Sequence, residues 1–270
     1  MSLHRFFLEG QVLADQAGEA FPLRLSADDA KHAKVLRLKP GEHIAVVDAA
    51  SDYFECEIVG FDGDLPVVSI ARRVDAPVDR PDVVLFQGLA KGDKMETVIR
   101  HATELGVAGF VPVSFSRCVM KLEGKRAESK LARWRSIAKS AAMQSGQPAV
   151  PEIAGIANLP EACDAMSRAN AVLVCWEEAP QSLSIGDALR ASLAACACTV
   201  PSDARVAVVV GPEGGLSERE VEALLGCNPR ASLVSLGSSI LRTETAGIVA
   251  PALALYELGC LGNASQPILP

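Results

Sequence analysis

From residue 82 onward the chain alternates short apolar runs with longer amphipathic segments, and this alternation limits the folds open to it. "DVVLFQGLA", "GFVPVSF", "AVLVCW", "RVAVVVG" and "ASLVSLG" read as strands. "DKMETVIRHATELG" and "ESKLARWRSIAKSAAMQSG" read as helices, the first capped by Asp93 and stopped at Gly106. Strands apolar along their whole length need cover on both faces. The pattern therefore predicts an α/β domain with a mainly parallel sheet over residues 82–270. Residues 1–72 follow a different rule. "HRFFLEG", "HIAVVDA", "YFECEIVGF" and "PVVSIARR" read as short strands, with turn chemistry in "KPGEH" and "DGDLP" and one helix at 27–36 capped by Ser26. That order suits a small β-barrel. "RVDAPVDRP", residues 73–81, reads as a linker.

No apolar run approaches the roughly 20 residues that span a bilayer, and "MSLHRFFLEGQVLADQ" lacks a signal-peptide stretch, so a cytoplasmic protein without membrane contact is expected. The 8 cysteines form no CxxC pair, which argues against a zinc site and leaves no metal expected. The net charge of −7 is uneven. Residues 1–150 are balanced, and 151–270 carry the whole excess of acid. "KHAKVLRLK", 31–39, places Lys31, Lys34, Arg37 and Lys39 together without an acid. A second basic region lies within 91–140. Such patches either form a solvated helix face or meet phosphate, even on an acidic chain.

"VVVGPEGGLSEREV", 208–221, runs from a strand into a glycine turn, and Ser217 with Glu220 makes a capping box that starts a helix. Backbone N–H groups at such a helix start are free to meet a ligand. No GK[ST] follows, so this is no phosphate-cradling P-loop, and the order is not GxGxxG. Pro212 stiffens the turn, and Glu213 would repel a pyrophosphate. A tight strand-to-helix turn and a cradle for a phosphate-free ligand both remain open on these residues alone. The tie breaks at "SLGSSILRTETAG", 235–247, a second Gly-bearing loop after another strand. Ligands of α/β sheets sit outside the carboxyl ends of strands, so two such loops would line one crevice.

"GPEGGLSEREVE" followed by "LGSSILRTETAG" resembles the ribosomal RNA small subunit methyltransferase E family, of the SPOUT class of S-adenosylmethionine (SAM) enzymes. "HRFF", "HAKVLRLKPGE", "KGDKMETVIRHATELGV", "FSRCVMK" and "RWRSIAKSAAMQSG" extend the resemblance over nearly the whole chain. It implies a trefoil knot in the parallel sheet, a PUA-like RNA-binding barrel at the N-terminus and a homodimer. It implies a methyl donor bent among three loops, Cys175–Glu177, Gly211–Gly215 and Leu236–Arg242. The cofactor residues so implied are Gly211, Pro212, Glu213, Gly214, Gly215, Leu236, Gly237, Ile240, Leu241 and Trp176. The basic run and, in "FSRCVMK", Arg117 and Lys121 become RNA contacts. The reaction implied is methylation of N3 of the uridine conventionally numbered 1498 in 16S rRNA of the small subunit.

This sequence departs from the family at Met143, Gln147 and Ser239, where members often carry Glu, Arg and Arg, and Pro251 falls inside an apolar helix that it should kink. Removing the N3 proton calls for a base or a charge stabiliser. Arg242 is the catalytic candidate, because a guanidinium can meet negative charge developing on a uracil oxygen; the alternative is an ion pair with Glu244. His101 is a weaker candidate base, at least one of Thr243 and Thr245 is read as a capping residue, and Trp134 is read as core. Two rivals share the fold: a non-enzymatic ribosome-assembly factor, and a methyltransferase of another RNA such as tRNA.

Overall fold

The computed structural model describes residues 3–16, 18–75, 80–178 and 182–262. The chain divides into two compact units, Met1–Val78 with Ala142–Val150, and Asp79–Ala141 with Pro151–Pro270. The linker expected at 73–81 lies partly outside the described residues.

In the first unit, β1 (His4–Phe7), β2 (Phe21–Pro22), α1 (Ala27–Leu36), β3 (His43–Val47), β4 (Tyr53–Asp62) and β5 (Leu65–Val74) follow in order. The five strands form one sheet in the order β1-β3-β4-β5-β2. Their alternation is the period of a half-buried sheet: Phe54, Cys56 and Ile58 point inward along β4. They pack with Phe6, Leu13, Leu23, Ile44 and Val46 into one core, which Ala142 and Met143 complete. The helix forms where its cap predicts, because the Ser26 hydroxyl accepts the Asp29 N–H at 3.1 Å.

The second unit contains β6 (Asp82–Gly88), α2 (Lys94–Leu105), β7 (Gly109–Val113), α3 (Gly124–Ser145, whose last turn belongs to the first unit), β8 (Glu152–Ile153), α4 (Leu159–Met166), β9 (Ala171–Cys175), α5 (Ile185–Ala195), β10 (Arg205–Val210), α6 (Glu218–Gly226), β11 (Ala231–Val234) and α7 (Thr243–Glu257). Six strands pair in parallel in the order β11-β9-β10-β6-β7-β8. β10 lies between β9 and β6, and Val206 to Val210 are all buried, as a strand covered on both faces requires. Gly106 stops α2 in the left-handed conformation, φ 99°. Asp93 precedes that helix without a side-chain capping bond; its carbonyl accepts from the Thr97 N–H and hydroxyl. α7 continues through Pro251 as one helix, Thr243–Glu257. Proline removes only the N–H that would have met Gly247, and the buried apolar surroundings of the helix hold the rest.

Candidate functional site

A cavity of about 620 Å³ opens at the carboxyl ends of β9, β10 and β11. These strands are neighbours in the sheet, so the loops that leave them are brought side by side. The wall takes Cys175, Trp176 and Glu177 from the first loop, Gly211, Pro212, Glu213 and Gly215 from the second, and the whole of Leu236–Arg242 from the third.

The glycine turn is held from within and from without. The Gly215 N–H donates to the Pro212 carbonyl at 2.9 Å, with Gly215 at φ 69°. A side chain there would also meet the Glu177 carboxylate, so only glycine serves. The capping box forms as the sequence predicts: Ser217 accepts the Glu220 N–H, and the Glu220 carboxylate accepts the Ser217 N–H at 2.8 Å. The second and third loops are pinned to each other by Thr243. Its hydroxyl donates to the Gly211 carbonyl at 2.6 Å and accepts from the buried Gln87 amide at 2.9 Å. Thr243 is thus a bridge at the start of α7, not a capping residue; the cap position falls to Arg242.

One ion cluster edges the cavity. Lys94, at the first position of α2, sits 3.1 Å from Glu213 and 3.2 Å from Glu244. A cation at a helix N-terminus opposes the helix dipole, so the two carboxylates account for its place. Its ammonium is held protonated, first by the bond to Glu213 and with help from Glu244, although burial works the other way. Burial alone would raise the Glu213 carboxyl, yet backbone N–H groups and Lys94 hold it below the ordinary range. The second Glu213 oxygen and the Trp176 indole nitrogen are buried with no hydrogen-bond partner among the described residues. Both residues line the cavity, so a polar ligand there would find an acceptor and a donor unspent. Burial pushes the Cys175 thiol up to about 12, so it is no thiolate nucleophile. Among the described residues no group of His, Cys, Asp and Glu gathers to hold a metal ion.

Residues 78–255 match the RNA methyltransferase domain family, and residues 25–70 match the RNA methyltransferase PUA domain. A ribosomal RNA small subunit methyltransferase E from Bacillus subtilis is 31% identical over 259 residues, 94% of this chain and 97% of the relative. The chain belongs to the ribosomal RNA small subunit methyltransferase E family. Among solved structures it is similar to a ribosomal RNA small subunit methyltransferase E from Neisseria gonorrhoeae bound to S-adenosyl methionine. That likeness has a TM-score of 0.75 and 28% identity, and covers 94% of this chain and 97% of that one. It is also similar to a putative methyltransferase from Legionella pneumophila in complex with the cofactor SAM, with a TM-score of 0.76 and 26% identity over 95% and 98% of the two chains.

Of the cofactor residues the methyltransferase E resemblance implies, all line the cavity except Gly214. A β-carbon on Gly214 would lie 2.9 Å from that of Arg117, so this glycine makes room for Arg117. Arg242 lines the cavity and is exposed, and its guanidinium has no hydrogen bond or ion pair among the described residues, since Glu244 is engaged by Lys94. Lys31, Lys34, Arg37 and Lys39 are exposed on α1 and the turn after it, with Lys31 paired to Asp28 and Lys34 to Asp64. Arg117 is exposed but donates to the Gly214 and Leu216 carbonyls at 3.1 and 3.2 Å. Lys121 is exposed in the loop before α3. His101 pairs with Glu104 on the exposed side of α2, away from the lining. Trp134 is wholly buried. Of the three departures, Met143 is buried in the first unit's core, the Gln147 carbonyl accepts from Arg5 at 2.6 Å, and Ser239 stands on the cavity wall. The sequence reading missed Lys94, Gln87 and the bridging role of Thr243. A lysine opening a helix was the one signal available for Lys94.

Proposed function

We propose that the chain transfers a methyl group from SAM to N3 of the uridine conventionally numbered 1498 in 16S rRNA of the small subunit. Family membership and the SAM-bound relatives support the reaction class. The observation that carries the reading is the meeting of three loops at one cavity with the Glu213 oxygen and the Trp176 nitrogen unspent. When bound, SAM supplies a methyl group made electrophilic by its sulfonium. Glu213 orients the donor's hydroxyls or its positive centre, and Gly211 and Gly215 let backbone approach it. Arg242 meets the uracil oxygen as negative charge develops there on loss of the N3 proton. Lys94 is held protonated and the lowered Glu213 carboxylate is a weak base, so as the methyl leaves the sulfonium for N3 the N3 proton passes to solvent. Charge stabilisation at Arg242 therefore carries more of the work than proton abstraction by a side chain.

RNA binding falls to the first unit, where the PUA match and the four basic residues of 31–39 lie, and N3 becomes reachable when the base leaves its stack. The reading includes a cytoplasmic place, a trefoil knot around the three loops, and a homodimer through α7. That helix is apolar from Ala246 to Leu255, with Tyr256 57% and Leu253 39% exposed. Light scattering at micromolar concentration should give twice 28.4 kDa; a monomer alone would refute the dimer. The test of function is transfer of labelled methyl from SAM to small subunits of a strain lacking the enzyme, with the modified nucleotide located by mass mapping. A methyl at another nucleotide, or none, overturns it.

A further inference from the structure

The segment between β7 and α3 does not line the cavity, yet it grips the glycine turn from outside it. Arg117 Nη1 donates to two carbonyls of that turn, Gly214 at 3.1 Å and Leu216 at 3.2 Å. One residue earlier, the Ser116 N–H donates to the Glu220 carboxylate at 2.6 Å. A trans peptide is planar, with its C=O and N–H pointing opposite ways, so a bond that fixes one end of the plane fixes the other. The peptide that ends in the Gly214 carbonyl carries the Gly215 N–H, which donates to Pro212 and closes the turn. The peptide that ends in the Leu216 carbonyl carries the Ser217 N–H, which donates to Glu220 and completes the capping box. Arg117 thus holds the far ends of the two peptide groups that define the loop, and each bond polarises the next.

Gly214 is what lets it come so close. A β-carbon there would stand 2.9 Å from the Arg117 β-carbon and 3.1 Å from its carbonyl oxygen. The cation also suits the geometry: one guanidinium nitrogen reaches two carbonyls, and a charged donor strengthens both bonds. An arginine engaged in this way is poorly free to neutralise a phosphate.

We infer that Arg117 is a positioning residue for the methyl-donor loop, not a ligand of RNA. The inference rests on the reading of the cavity as a SAM site, but its first consequence does not need SAM. In Arg117→Ala the peptide covering 211–221 should exchange its amide hydrogens faster in the free protein, with the core strands unchanged. In the same variant the Kd for SAM should rise about tenfold, the loss of roughly one charge-assisted bond. The salt dependence of rRNA binding should keep its slope, because no phosphate contact is lost. In turnover, KM for SAM should rise while kcat at saturating SAM stays within a few-fold. Arg117→Lys, which keeps one charged donor, should recover part of the SAM affinity.

Unchanged exchange at 211–221 overturns the inference whether or not SAM binds. So does a salt slope lowered by about one unit, with or without a change in SAM affinity, since that marks Arg117 as a phosphate ligand. Failure of the wild-type protein to bind SAM would instead sink the reading of the cavity, while faster exchange in the variant would still establish the grip on the loop.

Discussion

Arg242 stands on the cavity wall with a guanidinium unmatched among the described residues, while the neighbouring Glu244 is drawn to Lys94. No ion pair or side-chain hydrogen bond among the described residues uses its charge, so Arg242→Ala should fold and bind SAM much as the parent does. Methyl transfer in single turnover should fall about 10²-fold or more, as when one charge-stabilising donor is removed. A normal rate would make Arg242 a bystander. Thr243 is the opposite case, a residue whose work is structural. It is buried, and its hydroxyl is the only link between the Gln87 amide and the Gly211 carbonyl among the described residues. Thr243→Val keeps the shape but takes the hydroxyl donor from the Gly211 carbonyl and leaves the Gln87 amide only its bond to the Gly88 carbonyl, which costs about 1–3 kcal/mol. Urea unfolding should report that loss, and SAM affinity should fall with it because Gly211 is on the cavity wall.

At the scale of elements, α2 is fixed at its first turn by two separate ion clusters. Lys94 ties it to the glycine turn and α7, and Glu96 ties it to α3 through Arg133 at 2.6 Å and Lys130 at 3.2 Å. Bonds from Arg133, against the effect of burial and with help from Lys130, hold the Glu96 carboxyl below its ordinary 4.5. The folded protein therefore binds this proton less tightly than the unfolded chain. The stability so gained is complete above pH 4.5 and is lost as pH falls through the lower folded-state value. Glu96→Gln should be less stable than the parent at pH 7, and the gap should narrow below pH 4.5. Urea midpoints measured across that range would check it, and a gap that widened in acid would contradict the clamp. The same clamp takes Lys130 and Arg133 out of the basic face that the sequence of α3 presents.

For the whole molecule, the proposed division of labour is RNA on the first unit and SAM in the second. The four basic residues of 31–39 are not equivalent. Lys31 and Lys34 have acidic neighbours, whereas Arg37 and the Lys39 ammonium have no ionic partner among the described residues. Exposed pairs of that kind are weak, so all four can meet phosphate, but the unpaired ones give up nothing to do so. Replacing Arg37 and Lys39 with Gln should weaken rRNA binding and lower its salt slope by roughly one unit per lost contact. SAM affinity measured by calorimetry should not move. Loss of SAM binding with the salt slope intact would reverse the assignment.

What the sequence determined by itself is what closes within a few residues. Ser26 caps α1, Ser217 and Glu220 box the start of α6, and Gly106 ends α2 because each needs only neighbours three or four positions away. The unbroken apolar run of β10 announced a parallel strand for the same reason: burial on both faces is written in the run itself. The three cavity loops came from a resemblance, and their chemistry was legible only as glycine, carboxylate and arginine side by side. The tertiary structure alone decided how those groups are held. Thr243 reaches Gly211 across 32 residues, Arg117 reaches Gly214 across 97, Glu213 receives the Lys91 N–H across 122, and Gln87 reaches Thr243 across 156. No local pattern encodes such bonds. They exist because the strand order β11-β9-β10-β6 sets distant loops side by side, and a buried polar group there must take whichever partner the sheet brings to it.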